Sequence, residues 1–389
     1  MNKDKYIFAQ LVSLLNRSKF NRIVAKYHGD KYVKHFTCWN QLLALMFGQL
    51  CNRESLRDLI CALEAHHDKC YHLGIGRNVS KTNLAYANQV RDCRIFEEFA
   101  YYVVDDARRK CVNKIFNLDG HVYAFDSTTI DLCLAVFWWA TFRKHKGGIK
   151  VHTLFDVETQ IPAYFLVTEA SVHDVRAMDS IPYVTGAYYV FDRAYNDYKR
   201  LYHINKIGAF FVVRAKDNTR YKTTQWRRRM PKNVRTDARI QLTGYLSFKR
   251  YPEELRMVRY WDEEQGREFV FLTNATNLSA LEIAELYRHR WQVELFFKWL
   301  KQHLKIKKFL GTTPNAVKIQ VYAAMTAYCL VAIAQQELKL EVSTYEMLQK
   351  LSVTLTEKTP LRELFAKPKI ITSDILLTDF FIQLYTIFW

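Results

Sequence analysis

GAYYVFDRAYNDYKRLYHINKIGAFFVVRA (186–215) is the stretch that decides the fold class. GAYYVFD reads as a strand, NDYKRLYHINKI as a helix and GAFFVVRA as a second strand, so the segment is a β-α-β unit and implies an α/β domain. Upstream, HVYAFDSTTIDLCL (121–134), GGIKVHTLFDV (147–157) and IPAYFLVTEA (161–170) are short β-rich runs separated by turn-like or polar residues. They read as hairpin-connected strands, and a helical stretch is expected around Asp174 to Ile181. Downstream the chain becomes strongly basic in RYKTTQWRRRMPKNVR (220–235) and then alternates in LRMVRYW (255–261). Residues 215–267 therefore read as a β-rich insertion within the α/β domain. EFVFLTN (268–274) reads as a further strand, and a long helix is expected from Ser279.

The flanks are helical in pattern. Apolar residues recur at three and four positions in WNQLLALMFGQL (39–50) and SLRDLICALEAHH (55–67), with Ser55 and Ser80 as caps. Between 77 and 94, Arg77, Lys81 and Arg91 either face phosphates or belong to a solvated helix face. From about Thr313 the chain is helical again, as in NAVKIQVYAAMTAYCLVAIAQQEL (315–338). The expected organisation is a helical region 1–112, an α/β domain 113–312 and a helical region 313–389. ILLTDFFIQLYTIFW (375–389), interrupted by Asp379, is expected to dock onto the body of the protein or onto a second subunit.

The 389 residues carry 57 Lys and Arg against 39 Asp and Glu, a net charge of +18, which points to a polyanionic partner unless it serves solubility alone. Aromatic content of 15% interleaved with basic residues suits stacking on unpaired bases, although most of those rings must be core. The eight cysteines form no CxxC pair and read as buried free thiols of a reducing compartment. HHDKCYH (66–72) has metal-ligand residue types but fits no zinc spacing. The amino terminus lacks a signal-peptide pattern, and no run reaches ~18 uninterrupted apolar residues, so a cytoplasmic protein without a membrane span is expected.

Two carboxylates end apolar runs: Asp126 closes VYAFD and Asp192 closes YYVFD. A carboxylate where a buried strand emerges is rigidly held and partly dehydrated, as a ligand for a hard cation must be. An Asp capping the next turn gives the same pattern. Glu294 lies in the helical stretch LEIAELYRHRWQVELFFKWLKQHLKIKK (281–308). At about 100° per residue, Tyr287, Arg290, Glu294, Lys298 and Lys301 share one polar stripe, while Leu286, Val293, Phe296 and Leu300 fall on the opposite, core-facing side. A solvated face gives a similar wheel. A lone Glu among cations, with a Tyr in the stripe, instead suits a metal ligand beside phosphate clamps.

Tyr287, two residues, Arg290, three residues, Glu294, six residues and Lys301 resemble the Tyr-Arg-Glu-Lys signature of DDE transposases of the bacterial insertion-sequence-four family. FDST at Asp126 and FDRAYND at Asp192 resemble that family's first and second acidic motifs, in order, and GGIKVHTLFD (147–156) resembles a recurring segment between them. The resemblance covers about residues 119–310, and the helices before it are similar in character to the DNA-binding region of such proteins. It implies a ribonuclease-H-like core with a β-rich insertion between the second Asp and the Glu. It implies Asp126, Asp192 and Glu294 as catalytic residues holding two Mg²⁺ ions, for which Mn²⁺ can substitute. Tyr287, Arg290, Trp291, Lys298, Lys301 and Arg193 are the implied DNA contacts. Trp226 and Trp261 are candidates for an aromatic inserted into distorted DNA, and each is equally compatible with the core.

The implied chemistry is in-line attack on a phosphodiester: cleavage at an element's terminal inverted repeats, excision that commonly passes through a DNA hairpin, then joining of the 3′-hydroxyls to target DNA by a homodimer holding two ends. A nuclease of the same fold that does not join, and a non-catalytic DNA-binding protein derived from a transposase, are the alternatives. A Ser or Cys hydrolase has little support, since no GxSxG occurs and Ser127 has no identifiable His partner. His152 and His173 are expected near the site, where a structural or substrate-positioning role and no role at all are equally compatible with the sequence.

Overall fold

The β-rich runs between 121 and 274 cannot satisfy their own backbone groups, so they must pair, and they pair into one sheet. The computed structural model describes residues 4–76, 79–132, 137, 139–143, 146–303 and 309–366. Its strands are β1 (Val122–Leu132), β2 (Thr141–Arg143), β3 (Lys146–Asp156), β4 (Ile161–Glu169), β5 (Tyr188–Phe191), β6 (Phe210–Arg214), β7 (Tyr221–Trp226), β8 (Val234–Leu242), β9 (Leu255–Asp262) and β10 (Arg267–Thr273). Across the sheet they run β4-β3-β1-β5-β6-β10-β9-β8-β7, with β2 on the end of β3.

β1, β3 and β4 are antiparallel, whereas β5 lies parallel to both β1 and β6. The parallel pair β5–β6 is the β-α-β unit of residues 186–215, with helix Tyr198–Lys206 as its crossover. The basic β-rich stretch after it builds no sheet of its own. β10 hydrogen-bonds to β6, and β9, β8 and β7 follow antiparallel, so the insertion prolongs the central sheet.

Side-chain alternation divides the sheet between two cores. Tyr123, Phe125, Tyr189 and Phe191 enter the smaller one, under helix Tyr198–Lys206. Val122, Ala124 and Val190 enter the larger one, which also takes in the amino-terminal helices and the helices after Ser279. Asp126 and Asp192 continue the second alternation and therefore belong to the larger-core face. Helix Pro314–Glu337 is apolar on all sides and packs against helices Cys38–Leu50 and Cys93–Lys110. By length and apolarity it would suffice to cross a membrane, but its apolar window is 94% buried within the protein.

Helix starts carry the expected devices. Ser55 and Ser80 accept from the Asp58 and Asn83 N–H groups, and Ser279 forms a capping box with Glu282. Arg91 corrects the phosphate-facing expectation. It is buried, donates to Gln41 Oε1 at 2.9 Å and to the Phe36 carbonyl, and so fixes helix packing instead. Lys81 is exposed, while Arg77 and the segment 375–389 lie outside the described residues. Cys38, Cys70, Cys111 and Cys329 are buried free thiols, but Cys61 is exposed. Burial pushes the Cys38 and Cys51 thiols up to about 12, which leaves no thiolate there for nucleophilic chemistry.

Candidate active site

Phe125 and Phe191 stand side by side in register on the parallel strands β1 and β5. Asp126 and Asp192, one residue further along each chain, therefore sit on neighbouring strands and share a face. Helix Ala280–His289 packs over that face through Ile283 and Leu286, both fully buried. At Arg290 the chain tightens: the Arg290 N–H donates to the Tyr287 carbonyl and the Val293 N–H to the Arg290 carbonyl, each at 3.1 Å. These three-residue bonds divide the expected long helix into Ala280–His289 and Trp291–His303. The expected core side still holds, with Leu286, Val293, Phe296 and Leu300 at most 3% exposed.

The break places Arg290 at the centre of the site. Its Nη1 donates to Asp126 Oδ2 at 2.9 Å and its Nη2 to Glu294 Oε1 at 2.5 Å. Tyr287 donates its hydroxyl to Asp192 Oδ1 at 2.9 Å. The other oxygen of Asp126, Oδ1, accepts from the Ser127 N–H at 2.8 Å and from the Tyr195 hydroxyl at 3.5 Å.

Burial raises the Asp126 carboxyl to about 6 even though Arg290 opposes that rise. For Asp192, burial works in the same direction but is outweighed. The Arg193 N–H, the Tyr287 hydroxyl and Arg290 together hold it below its ordinary range. Tyr287 is pushed up to about 12 by its own burial, so it serves as a neutral donor.

An open cleft of about 910 Å³ runs from Asp192 and Glu294 to the β9–β10 hairpin. Arg214, Arg267 and Arg288 lie in its wall with Trp291, which is 52% exposed. Lys298 is exposed and Lys301 half-buried, and neither lines this cleft. Arg193 is paired instead with Asp217 at 3.0 Å. Trp226 is largely exposed on β7, while Trp261 is half-buried with the Arg235 guanidinium 4.3 Å from its ring centre. Of the anticipated site residues, Asp126, Asp192, Glu294, Tyr287 and Arg290 converge, and Trp291 joins them through the cleft.

A family model described as a transposase DDE domain matches residues 118–330, more than half of the chain. The chain belongs to the DDE transposase family. A second family model, of a domain of unknown function, matches residues 3–76. "Putative transposase y4zB" of Sinorhizobium fredii is 37% identical over 214 residues, covering 54% of this chain and 59% of that protein. "Probable transposase for insertion sequence element IS5377" of Geobacillus stearothermophilus is 34% identical over 212 residues, covering 53% of this chain and 54% of that protein. The chain thus spans a little over half the length of these two relatives. "Putative transposase for insertion sequence element IS4SA" of Synechocystis is 23% identical over 295 residues, covering 73% and 80%. A solved piggyBac transposase synaptic complex with hairpin DNA overlaps 96% of this chain and 82% of its own at 11% identity, with a TM-score of 0.43.

A DDE domain generally works with divalent metal ions, and the donors here suit one. Asp126 Oδ2 and Glu294 Oε1 are hard anionic oxygens aimed at a single cationic group, and Asp192 is held ionised beside them. Another group, His121, Asp156 and Glu158, brings three ligand atoms within 4.8 Å of one another. Both oxygens of Asp156 are already engaged, Oδ2 by Arg108 at 3.0 Å and Oδ1 by the Glu158 and Thr159 N–H groups. That arrangement reads as an ion-paired turn at the Tyr123 end of β1.

Sequence reasoning singled out His152, which lies behind Asp126, but missed Tyr195 and the set Ser127, Lys150 and Asp174 around it. The available signal was a Lys and a His inside an otherwise apolar strand, at 150 and 152.

Proposed function

We propose that the chain is the transposase of a bacterial insertion sequence, of the insertion-sequence-four type, which cleaves the element's ends and joins their 3′-hydroxyls to target DNA. The observation that carries this reading is the meeting of Asp126, Asp192 and Glu294 around Arg290 and Tyr287, in the order and spacing of the Tyr-Arg-Glu-Lys signature. The strand order supports a ribonuclease-H-like core: three antiparallel strands with β1 innermost, then two parallel strands, with the acids on β1 and at the end of β5.

Asp126, Asp192 and Glu294 would hold two Mg²⁺ ions. Such ions, when bound, activate the attacking hydroxyl or water and stabilise the leaving oxygen. Moving from Asp126 and Glu294 to a phosphate, the Arg290 guanidinium would grip the DNA strand with two parallel bonds. Trp291 offers a stacking surface at the mouth of the cleft, and Arg214, Arg267 and Arg288 carry positive charge along it. Lys298, Lys301 and Arg193 lie outside the cleft and would meet the backbone of a longer duplex. Two copies would pair two terminal inverted repeats.

The test uses a DNA fragment bearing the gene's own flanking inverted repeats, with Mg²⁺ or with EDTA, and Glu294→Ala run alongside. Metal-dependent cutting at the repeats and products joined to a plasmid are expected, both lost in the variant. Cutting by Glu294→Ala would remove that residue from the site. Cutting without joining would assign a nuclease, and binding without cutting in Mg²⁺ and Mn²⁺ a non-catalytic protein.

A further inference from the structure

The GGIKVHTLFD segment forms most of β3, and the pairing Ser127↔His152 and Thr129↔Lys150 puts Lys150, His152 and Ser127 together on the smaller-core face, directly behind Asp126. Asp174, at the start of the short helix after β4, closes over them. Its Oδ1 accepts from the Ser127 hydroxyl at 2.7 Å and pairs with Lys150 Nζ at 3.2 Å. Lys150 also donates to the Val172 carbonyl at 2.9 Å. His152 is fully buried and bonds Thr168 through Nε2, and its Nδ1 lies 3.9 Å from Asp174 Oδ1 without a hydrogen bond.

The two oxygens of Asp126 have separate partners. Oδ1 is held by the Ser127 N–H and, at longer range, by Tyr195, while Oδ2 is turned toward Arg290 and Glu294. The paired register of β1 with β5 ends at Phe125, so beyond it β1 has lost that neighbour just where Asp126 and Ser127 stand. The Ser127–Asp174 bond restores a restraint from a third element. We propose that Asp174, with Lys150 as its counter-ion, is a positioning residue for Asp126. By fixing Ser127, it keeps Oδ1 engaged and Oδ2 presented for a divalent ion. Nothing in the cleft itself requires Asp174, Lys150 or His152, and a purely structural ion pair would leave the affinity for such an ion unchanged.

The inference rests on the reading of Asp126, Asp192 and Glu294 as the cation site, so the experiment includes a control for that reading. Mn²⁺ binding to the full chain would be measured by titration calorimetry for wild type, Asp126→Ala and Asp174→Asn, with melting temperatures recorded for each. A drop in affinity of about tenfold is expected for folded Asp174→Asn, in line with the loss of a group that orients a metal ligand. Affinity within twofold of wild type in that folded variant would overturn the proposal, whatever its melting temperature. Should Asp174→Asn not fold, Ser127→Ala removes only the bridging hydroxyl and decides by the same two outcomes. If Asp126→Ala leaves Mn²⁺ affinity unchanged, the acid site itself is misread and the proposal falls with it.

Discussion

Arg290 and Asp126 come from distant parts of the chain and meet with Nη1 2.9 Å from Oδ2. The same guanidinium reaches Glu294 at 2.5 Å, so one side chain neutralises two of the three acids. A ligand set already occupied by a cation cannot take a second one without moving the first. Arg290 also borders the cleft, so a phosphate there would offer it an alternative partner. On the proposed reading, metal loading and strand binding would be coupled through this one side chain.

Arg290→Ala is accordingly expected to bind Mn²⁺ roughly tenfold more tightly than wild type in the absence of DNA, about the worth of one hydrogen bond to a charged group. The same variant should bind the element's ends more weakly. Calorimetry on the two proteins decides it: unchanged or weaker Mn²⁺ binding would show that the guanidinium does not compete for the site.

Asp126 makes a pH prediction with a definite sign. Its carboxyl ionises at about 6 when folded, against about 3.9 in an unfolded chain. The folded state therefore binds this proton more tightly, and this group's contribution to stability falls as pH rises from about 4 to about 6. Above that the whole loss is present. Asp126→Asn mimics the protonated form. It should be more stable than wild type at pH 7.5, by something on the order of 1–3 kcal/mol, and indistinguishable near pH 4. Urea midpoints at the two pH values test this, and equal gains at both would remove the carboxyl's burial as the cause.

What was legible in the sequence was what local pattern controls. Asp126 and Asp192 could be placed at strand ends because apolar runs stop there, and Ser279 could be placed as a helix start because a capping box is a short-range device. The helical wheel found the buried side of 286–300 because alternation of faces survives the tightening at Arg290. That tightening itself was invisible, since nothing at Arg290 breaks a helix by propensity. Pairing was equally hidden: the basic stretch after residue 215 looked like an insertion, and only the β6–β10 register shows that it continues the same sheet. Arg91 was misread because an exposed cation and one satisfied by Gln41 and a carbonyl have the same letter. Asp174 gave no signal, because its partners lie across two strands.

Tyr287 and Asp192 supply a test of orientation rather than charge. Tyr287→Phe removes one hydroxyl from a residue only 8% exposed, and with it the 2.9 Å bond that helps hold Asp192 ionised. Asp192 would still be charged at neutral pH, so the expected effect is looser placement, a cleavage rate lower by about tenfold with stability changed by about 1 kcal/mol. Weaker end binding with an unchanged rate at saturating DNA would instead assign the hydroxyl to the DNA strand.

Asp237 and Arg256 test whether the prolonged sheet behaves as one body. Arg256 is 1% exposed on β9, gripped by both oxygens of Asp237 on β8 at 2.8 Å, and its Nη1 caps the carbonyls of Ala275 and Leu278 just before helix Ala280–His289. The pair therefore ties the insertion to the helix that carries Tyr287. Removing one partner leaves a buried charge unpaired, which typically costs about 3–5 kcal/mol. Asp237→Ala should lower stability by that amount in a single urea transition, with fluorescence and far-ultraviolet circular dichroism moving together. Replacing both residues by apolar ones of similar size should recover much of the loss. Two separated transitions would show that β7–β9 unfold apart from the strands bearing Asp126 and Asp192, and the cleft between them could not then be a fixed surface.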